Sequence, residues 1–282
     1  MSQFILTITS IAKRFSRQIK KGNGDAAQEE YSVLSDLSLN VERGKITAII
    51  GGNGAGKTTL FNIISCLLSA DQGEMIYAGR KESVHLERKR AHQLAALGIG
   101  RLFQDNHIFP KLSVMDNMLL ADTDGFGERV FEALGFAKRR KVKEEKRKER
   151  ALRIFEDLFE NDPVFIEKQD HAAESLSYGQ QRLLGLCRLF MGDYDLVLLD
   201  EPTAGVNPVL VQQMGKIIRK MVDERGMSVV LVEHNMPFVE EMADVCAFMN
   251  HGRIEAIGLA HEVLDSTSVR ENYLGNIHLK EA

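Results

Sequence analysis

Gly51-Gly52-Asn53-Gly54-Ala55-Gly56-Lys57-Thr58-Thr59 decides the fold. It reads as a glycine, four residues and Gly-Lys-Thr, and it sits between the short apolar run Ile46–Ile50 and an apolar helical stretch. A nearly continuous apolar run of that length suits a buried parallel strand. The glycines let the backbone approach a phosphate closely, and successive N–H groups with a helix N-terminus present partial positive charge to it. Lys57 is placed to reach terminal phosphates, and the Thr58 hydroxyl to hold Mg2+. A chance glycine-rich turn lacks the strand before and the helix after, so the stretch is read as a phosphate-binding loop.

The rest of the composition narrows the class. The chain has 282 residues, 44% hydrophobic residues and a formal charge of −4, enough core for one large domain or two small ones and no electrostatic footprint for nucleic acid. Cys66, Cys187 and Cys246 stand alone in apolar surroundings and read as packing residues of a reduced compartment. No run of about 18 apolar residues is present to span a bilayer. The opening MSQFILTITSIAKRF lacks a basic leader and cleavage site, so a cytoplasmic protein is expected.

Phe4–Ile11 and Tyr31–Val41 alternate like the strands of an antiparallel edge layer. The polar segment Ser16–Glu30 between them reads as exposed, and a plain extension of the hairpin is the favoured reading. Leu60–Leu68 is expected to continue the helix after the loop, Gly73–Tyr77 to form a strand, and Lys81–Leu97 to form a helix that stops at Gly98. Ile99–Phe103 reads as a strand that delivers Gln104 to a loop end. From about 105 to 175 the apolar positions, among them Met115, Met118, Phe131, Leu134, Leu152, Phe155 and Leu158, take helical spacing. Within it Lys138–Arg150 carries nine basic and three acidic residues. A lipid-headgroup or nucleic-acid patch is the rival reading there. The i,i+4 pairs Lys141/Glu145 and Glu144/Lys148 favour a solvated helix face.

The α/β pattern resumes at Ser175: strand Leu196–Leu199 into Asp200-Glu201, helix Val209–Asp223, strand Ser228–Val232 into Glu233-His234, and a helix from Pro237. Carboxylates and a histidine at the ends of buried strands lie where open α/β sheets bind ligands.

In this order, with Leu176-Ser177-Tyr178-Gly179-Gln180 opening a helix and Ala204-Gly205-Val206-Asn207 after the second strand, the chain resembles the ATP-binding subunit of an ABC transporter over nearly its whole length. The resemblance implies an α/β P-loop NTPase (ABC ATPase) core of mainly parallel sheet, with an antiparallel β layer and an inserted helical subdomain. It divides the single domain into a nucleotide-binding core at 1–104 and 176–250, a helical subdomain at 105–175 and a C-terminal extension at 251–282. It assigns Gly51, Asn53, Gly54, Ala55, Gly56, Lys57, Thr58 and Thr59 to ATP, and Thr58, Gln104 and Asp200 to Mg2+. Glu201 is implied as general base, and Gln104 and His234 as the residues that sense water and the γ-phosphate. Ser177, Gly179 and Gln180 are implied to complete the site of a second, identical or homologous ATPase subunit in a nucleotide-sandwich dimer.

Phe15 is the preferred adenine platform, and Tyr31 the alternative. Tyr178 stands where the common signature has Gly, and Gly52 where the common phosphate loop has Pro. Tyr-Gly-Gln-Gln-Arg at 178–182, Ala-Gly-Val-Asn-Pro at 204–208, Val-Glu-His-Asn-Met at 232–236, Phe109, Ser113-Val114 and Tyr273-Leu274-Gly275 look like the branched-chain amino acid importer subgroup. The implied partners are integral membrane permease subunits, with a substrate-binding protein as a further candidate. The expected location is the cytoplasmic face of the inner (plasma) membrane. Transport of lipid or lipopolysaccharide, and a soluble ABC-type assembly factor without a permease, are the rival readings.

Overall fold

The computed structural model describes residues 2–20, 26–80, 82–104, 108–122, 137–159, 163–266 and 269. Two sheets and a set of helices account for them. The first sheet is antiparallel. It has β1 (Phe4–Lys20), β2 (Ala26–Glu42), β4 (Gln72–Ala78) and β5 (Ser83–His85), in the order β2-β1-β4-β5. The second is built on β3 (Ile46–Ile50), β6 (Ile99–Leu102), β7 (Leu196–Asp200), β8 (Ser228–Val232), β9 (Val245–Asn250) and β10 (Arg253–Gly258), in the order β10-β9-β3-β8-β7-β6. Its pairs are parallel except β9 with β10.

Why the inner strands are almost entirely apolar is visible in their side chains. Along β7, Val197 and Leu199 enter one core while Leu196 and Leu198 enter another, and β8 divides Val229 and Leu231 from Val230 and Val232 in the same way. Strand side chains alternate faces, so a strand covered on both sides is apolar at nearly every position, with Thr47 and Ser228 the small buried exceptions in β3 and β8.

The helix α1 (Lys57–Ile64) lies between the sheets, where Leu60, Phe61, Ile63 and Ile64 share a core with Leu34, Leu37, Ile49 and Leu196. It is followed by α2 (Leu94–Leu97), α3 (Val114–Leu120), α4 (Ala137–Leu158), α5 (Val164–Glu167), α6 (Tyr178–Met191), α7 (Pro208–Asp223), α8 (Met236–Met242) and α9 (Ala260–Asp265). Val114, Met115, Met118, Phe155 and Phe165 from α3 to α5 join Leu183, Leu184 and Cys187 of α6 in one core.

Two expectations are corrected and a third holds. Lys81–Leu97 is not one helix: Ser83–His85 pairs with β4, two 3-10 turns follow, and only Leu94–Leu97 is α-helical. Val84 and Leu86 are both buried on a two-residue spacing, which is the period of a strand. The stop at Gly98 holds, with φ 94° at the cap. The helix after the loop ends at Ile64 and not Leu68, because Cys66 takes φ 53° and the N–H groups of Leu67 and Leu68 turn back onto the Asn62 carbonyl. Along Ser16–Glu30, β1 and β2 stay paired out to Lys20 and Ala26. The favoured hairpin reading matches that pairing, supported at Arg17–Glu29 by an ion pair of 2.9 Å.

Gly22-Asn23-Gly24-Asp25, Phe131, Leu134 and Tyr273-Leu274-Gly275 lie outside the described residues, and Lys141/Glu145 outside the described side chains. Glu144 and Lys148 do pair, at 3.4 Å. Cys187 and Cys246 are buried, and Cys66 is half-buried.

Candidate nucleotide site

The parallel pairing brings four strand ends to one edge. Ile50 runs into Gly51, Leu102 into Phe103-Gln104, Asp200 into Glu201, and Val232 into Glu233-His234; Asp200 stands directly beside Val232 in the register.

The loop at 51–56 is shaped by close approaches. A Cβ on Gly51 would lie 2.1 Å from the Met249 carbonyl oxygen, and one on Gly56, at φ 103°, would meet Leu34 at 2.8 Å. Gly52 and Gly54 have open space around them, and Asn53 and Gly54 are exposed. Ala55 is buried; its N–H donates to the Gly52 carbonyl at 3.2 Å and its carbonyl accepts from Gly252 N–H at 3.0 Å. Lys57 is 7% exposed and folds over the loop, its Nζ donating to the carbonyls of Gly51 at 2.7 Å and Gly52 at 3.0 Å. Burial lowers the Lys57 pKa, against the charges of Glu201 and Asp200. Thr58 and Thr59 begin α1, Thr58 exposed.

Across the edge, Glu201 is the junction. Gln104 Nε2 donates to its Oε2 at 2.8 Å, and His234 Nε2 lies 3.1 Å from its Oε1. Its backbone sits at φ 45°, a left-handed conformation costly for a residue with a side chain and concentrated at functional sites. Asp200 is buried, and burial raises its pKa while Arg101 opposes the rise. Arg101 Nη2 donates to Asp200 Oδ2 at 2.8 Å, and Nη1 reaches Asn62 Oδ1 in α1 at 2.9 Å and Ser65 Oγ at the α1 C-cap at 2.8 Å. The guanidinium stacks over the Phe103 ring, 4.4 Å from its centroid.

The structure thus brings Gln104, Glu201 and His234 into contact and sets Lys57 and Asp200 beside them. It does not bring in Ser177, Gly179 or Gln180. Ser177 caps α6: its Oγ accepts from Gln180 N–H at 3.3 Å, and Gln180 Oε1 accepts from Ser177 N–H at 3.0 Å. Gly179 is buried, and a Cβ there would lie 2.4 Å from Leu210. Tyr178 is exposed, yet its hydroxyl accepts from the fully buried Arg182 at 3.0 Å. Phe15 faces Tyr31 across the hairpin with ring centroids 6.1 Å apart, so the two adenine candidates form one stacked pair.

Sequence reasoning missed Arg101 and Gly252, and it named Glu233 at its strand end and Arg182 in its motif without a contact for either. Arg101, Glu233 and Arg182 are charges set within or at the end of otherwise apolar runs, a signal the sequence does carry.

The oxygen-rich donor set of Thr58, Gln104 and Asp200 suits a hard divalent cation beside a phosphate chain, with Oδ2 of Asp200 already engaged by Arg101. Uncapped N–H groups at the start of α1, whose cap position makes no side-chain hydrogen bond, suit the phosphates.

The comparisons with known proteins identify the family. The profile of the family described as ABC transporter matches residues 34–204. A probable branched-chain amino acid transport ATP-binding protein, LivG, of Archaeoglobus fulgidus is 36% identical over 248 residues, covering 86% of this chain and 89% of that protein. The lipopolysaccharide export system ATP-binding protein LptB of Haemophilus influenzae is 31% identical over 274 residues, covering 96% and 97%. Among solved structures, the ADP conformation of MJ1267, an ATP-binding cassette of an ABC transporter, superposes with a TM-score of 0.75 at 28% identity, covering 97% of this chain and 100% of that one. The chain belongs to the ABC transporter family, as an ATP-binding subunit with ATPase activity.

Proposed function

We propose that this ATPase powers the import of branched-chain or other hydrophobic amino acids through a separate integral membrane permease. The observation that carries the hydrolytic part is the Glu201 carboxylate, held between Gln104 at 2.8 Å and His234 at 3.1 Å on the edge where the phosphate loop begins. Gly51 and Asn53 to Thr59 cradle the ATP phosphates, and Lys57 exchanges its bonds to the Gly51 and Gly52 carbonyls for phosphate oxygens. Phe15, backed by Tyr31, stacks on adenine. Glu201 takes the proton of the attacking water, Gln104 orients that water, and His234 contacts the γ-phosphate. Thr58, Gln104 and Asp200 would hold Mg2+, which when bound neutralises charge developing on the phosphates.

Ser177, Gly179 and Gln180 at the start of α6 present a helix N-terminus to the nucleotide of a second ATPase subunit, so hydrolysis needs a dimer. Residues 105–175 act as the helical subdomain. Contacts to the γ-phosphate are available only with ATP and would drive closure of the dimer, coupled to the permease. Among the described residues no helix is long and apolar enough to cross a membrane, and attachment to the cytoplasmic face of the inner membrane comes through the permease. The amino acid cargo rests on the LivG relatives, a substrate-binding protein being a further partner. The similarity to LptB favours lipopolysaccharide export as the second reading.

The test is affinity capture of the Glu201→Gln protein with ATP from detergent-solubilised native membranes, with partners identified by mass spectrometry. A multi-spanning permease with an amino acid binding protein supports the proposal. Export components point to the second reading, and soluble partners alone overturn the transport role.

A further inference from the structure

We infer that Glu233 is a positioning residue that sets the separation of Glu201 and His234. The inference rests on reading those two as the hydrolytic pair. Glu233 follows the last residue of β8 and is 2% exposed. A carboxyl group is buried at tolerable cost only when donors satisfy its oxygens. Here four do. Oε1 accepts from Thr203 N–H at 2.9 Å and Thr203 Oγ1–H at 2.7 Å, and Oε2 accepts from His234 N–H at 3.0 Å and Asn235 N–H at 3.3 Å.

The donors come from two segments. Thr203 lies two residues past Glu201, in the turn that leaves β7, and Asn235 is the N-cap of α8, accepting from Phe238 N–H at 3.3 Å. One side chain therefore clamps the turn after β7 to the turn after β8. The sheet does not need it, because β7 and β8 are already paired from Leu196↔Ser228 to Asp200↔Val232, with Glu201 N–H donating to the Val232 carbonyl at 2.9 Å. What Glu233 adds is order beyond the last ladder bond, where Glu201 is held at φ 45° with the His234 ring against its carboxylate.

The chemistry is selective, because every group facing Glu233 is a donor and only an acceptor with two oxygens at this reach satisfies all four. Glutamine has the same shape but turns an NH2 group toward two donors, which releases one of the two segments.

The experiment compares the full-length wild type with Glu233→Gln, with Thr203→Val, which removes one donor, and with Ile218→Ala, a core change in α7 away from the site. Three properties are read: thermal midpoint, ATPase kcat and KM, and the nucleotide-free 15N–1H correlation signals of the His234 ring. Glu233→Gln is expected to lower kcat about 10- to 100-fold with KM within about threefold, as misplacement of a catalytic group does. It should also shift the His234 ring signals. Thr203→Val falls between it and the wild type. Ile218→Ala loses stability while keeping kcat and the ring signals.

Unchanged His234 signals in Glu233→Gln overturn the inference, as does an equal loss of kcat in Ile218→Ala. If the wild type fails to hydrolyse ATP, the hydrolytic reading falls by itself. The ring signals then decide on the clamp: a shift supports it and no shift rejects it.

Discussion

Two helix N-termini in this molecule are built in opposite ways. At α1 the cap position is Gly56 in a left-handed conformation with no side-chain acceptor, so the first amides keep their capacity for a ligand. At α6 the cap is Ser177, which with Gln180 forms a reciprocal capping box that satisfies two of the terminal donors, the N–H groups of Ser177 and Gln180. An open terminus in a glycine loop is useful to a phosphate within the same chain. A closed one has part of its donor capacity met within its own chain, and under the proposed function it meets a nucleotide only from a second subunit.

That contrast can be broken at several points, beginning with the anchor of the open terminus. Arg101 ties the body of α1, through Asn62 and Ser65, to Asp200. Arg101→Met leaves a buried carboxylate without its partner and is expected to cost about 3–5 kcal/mol, read by urea denaturation. A change below 1 kcal/mol, on the order of an ordinary surface substitution, would remove Arg101 from its anchoring role. Next, Lys57→Ala should weaken binding of a fluorescent ATP analogue by about 100-fold while leaving the thermal midpoint near that of the wild type, since it removes a charged donor to phosphate.

Ser177→Ala should do the reverse at the closed terminus: about 1 kcal/mol of stability lost with nucleotide affinity of the isolated subunit unchanged. Equal effects of the two substitutions on ATP affinity would erase the distinction.

The smallest effect lies at the far end of α1. Burial, helped by the charge of Glu87, pushes the Cys66 thiol up to about 11. Its alkylation should be slow at pH 8 and rise toward pH 11, because the thiolate is the nucleophile. A midpoint near an ordinary thiol's value of about 8.5 would contradict that burial.

The open terminus was legible in the sequence and the closed one only in part. Glycines at 51, 54 and 56 followed by Lys57 carry their chemistry in local order, and the buried strands announce themselves by nearly continuous apolar runs at Ile46–Ile50 and Leu196–Leu199. What local order cannot carry is who meets whom. Arg101 finds Asp200, and Glu233 finds Thr203, only after the strands align in parallel. Lys81–Leu97 misled because mixed polar sequence with Val84, Leu86, Leu94 and Leu97 satisfies two periods at once, and pairing with β4 chose between them. The hairpin beyond Phe15 has no apolar alternation to read; cross-strand pairs such as Phe15 with Tyr31 and Arg17 with Glu29 sustain it.

The most direct test of the whole account is ATP turnover by Glu201→Gln beside wild type, with bound nucleotide and molar mass measured on the same samples. The account predicts a kcat lower by about 100- to 10,000-fold, the range for loss of a general base. It also predicts undiminished ATP binding and an ATP-retaining dimer by light scattering. Turnover within about twofold of wild type would contradict it, because an interaction made only in the transition state cannot be removed without lowering kcat.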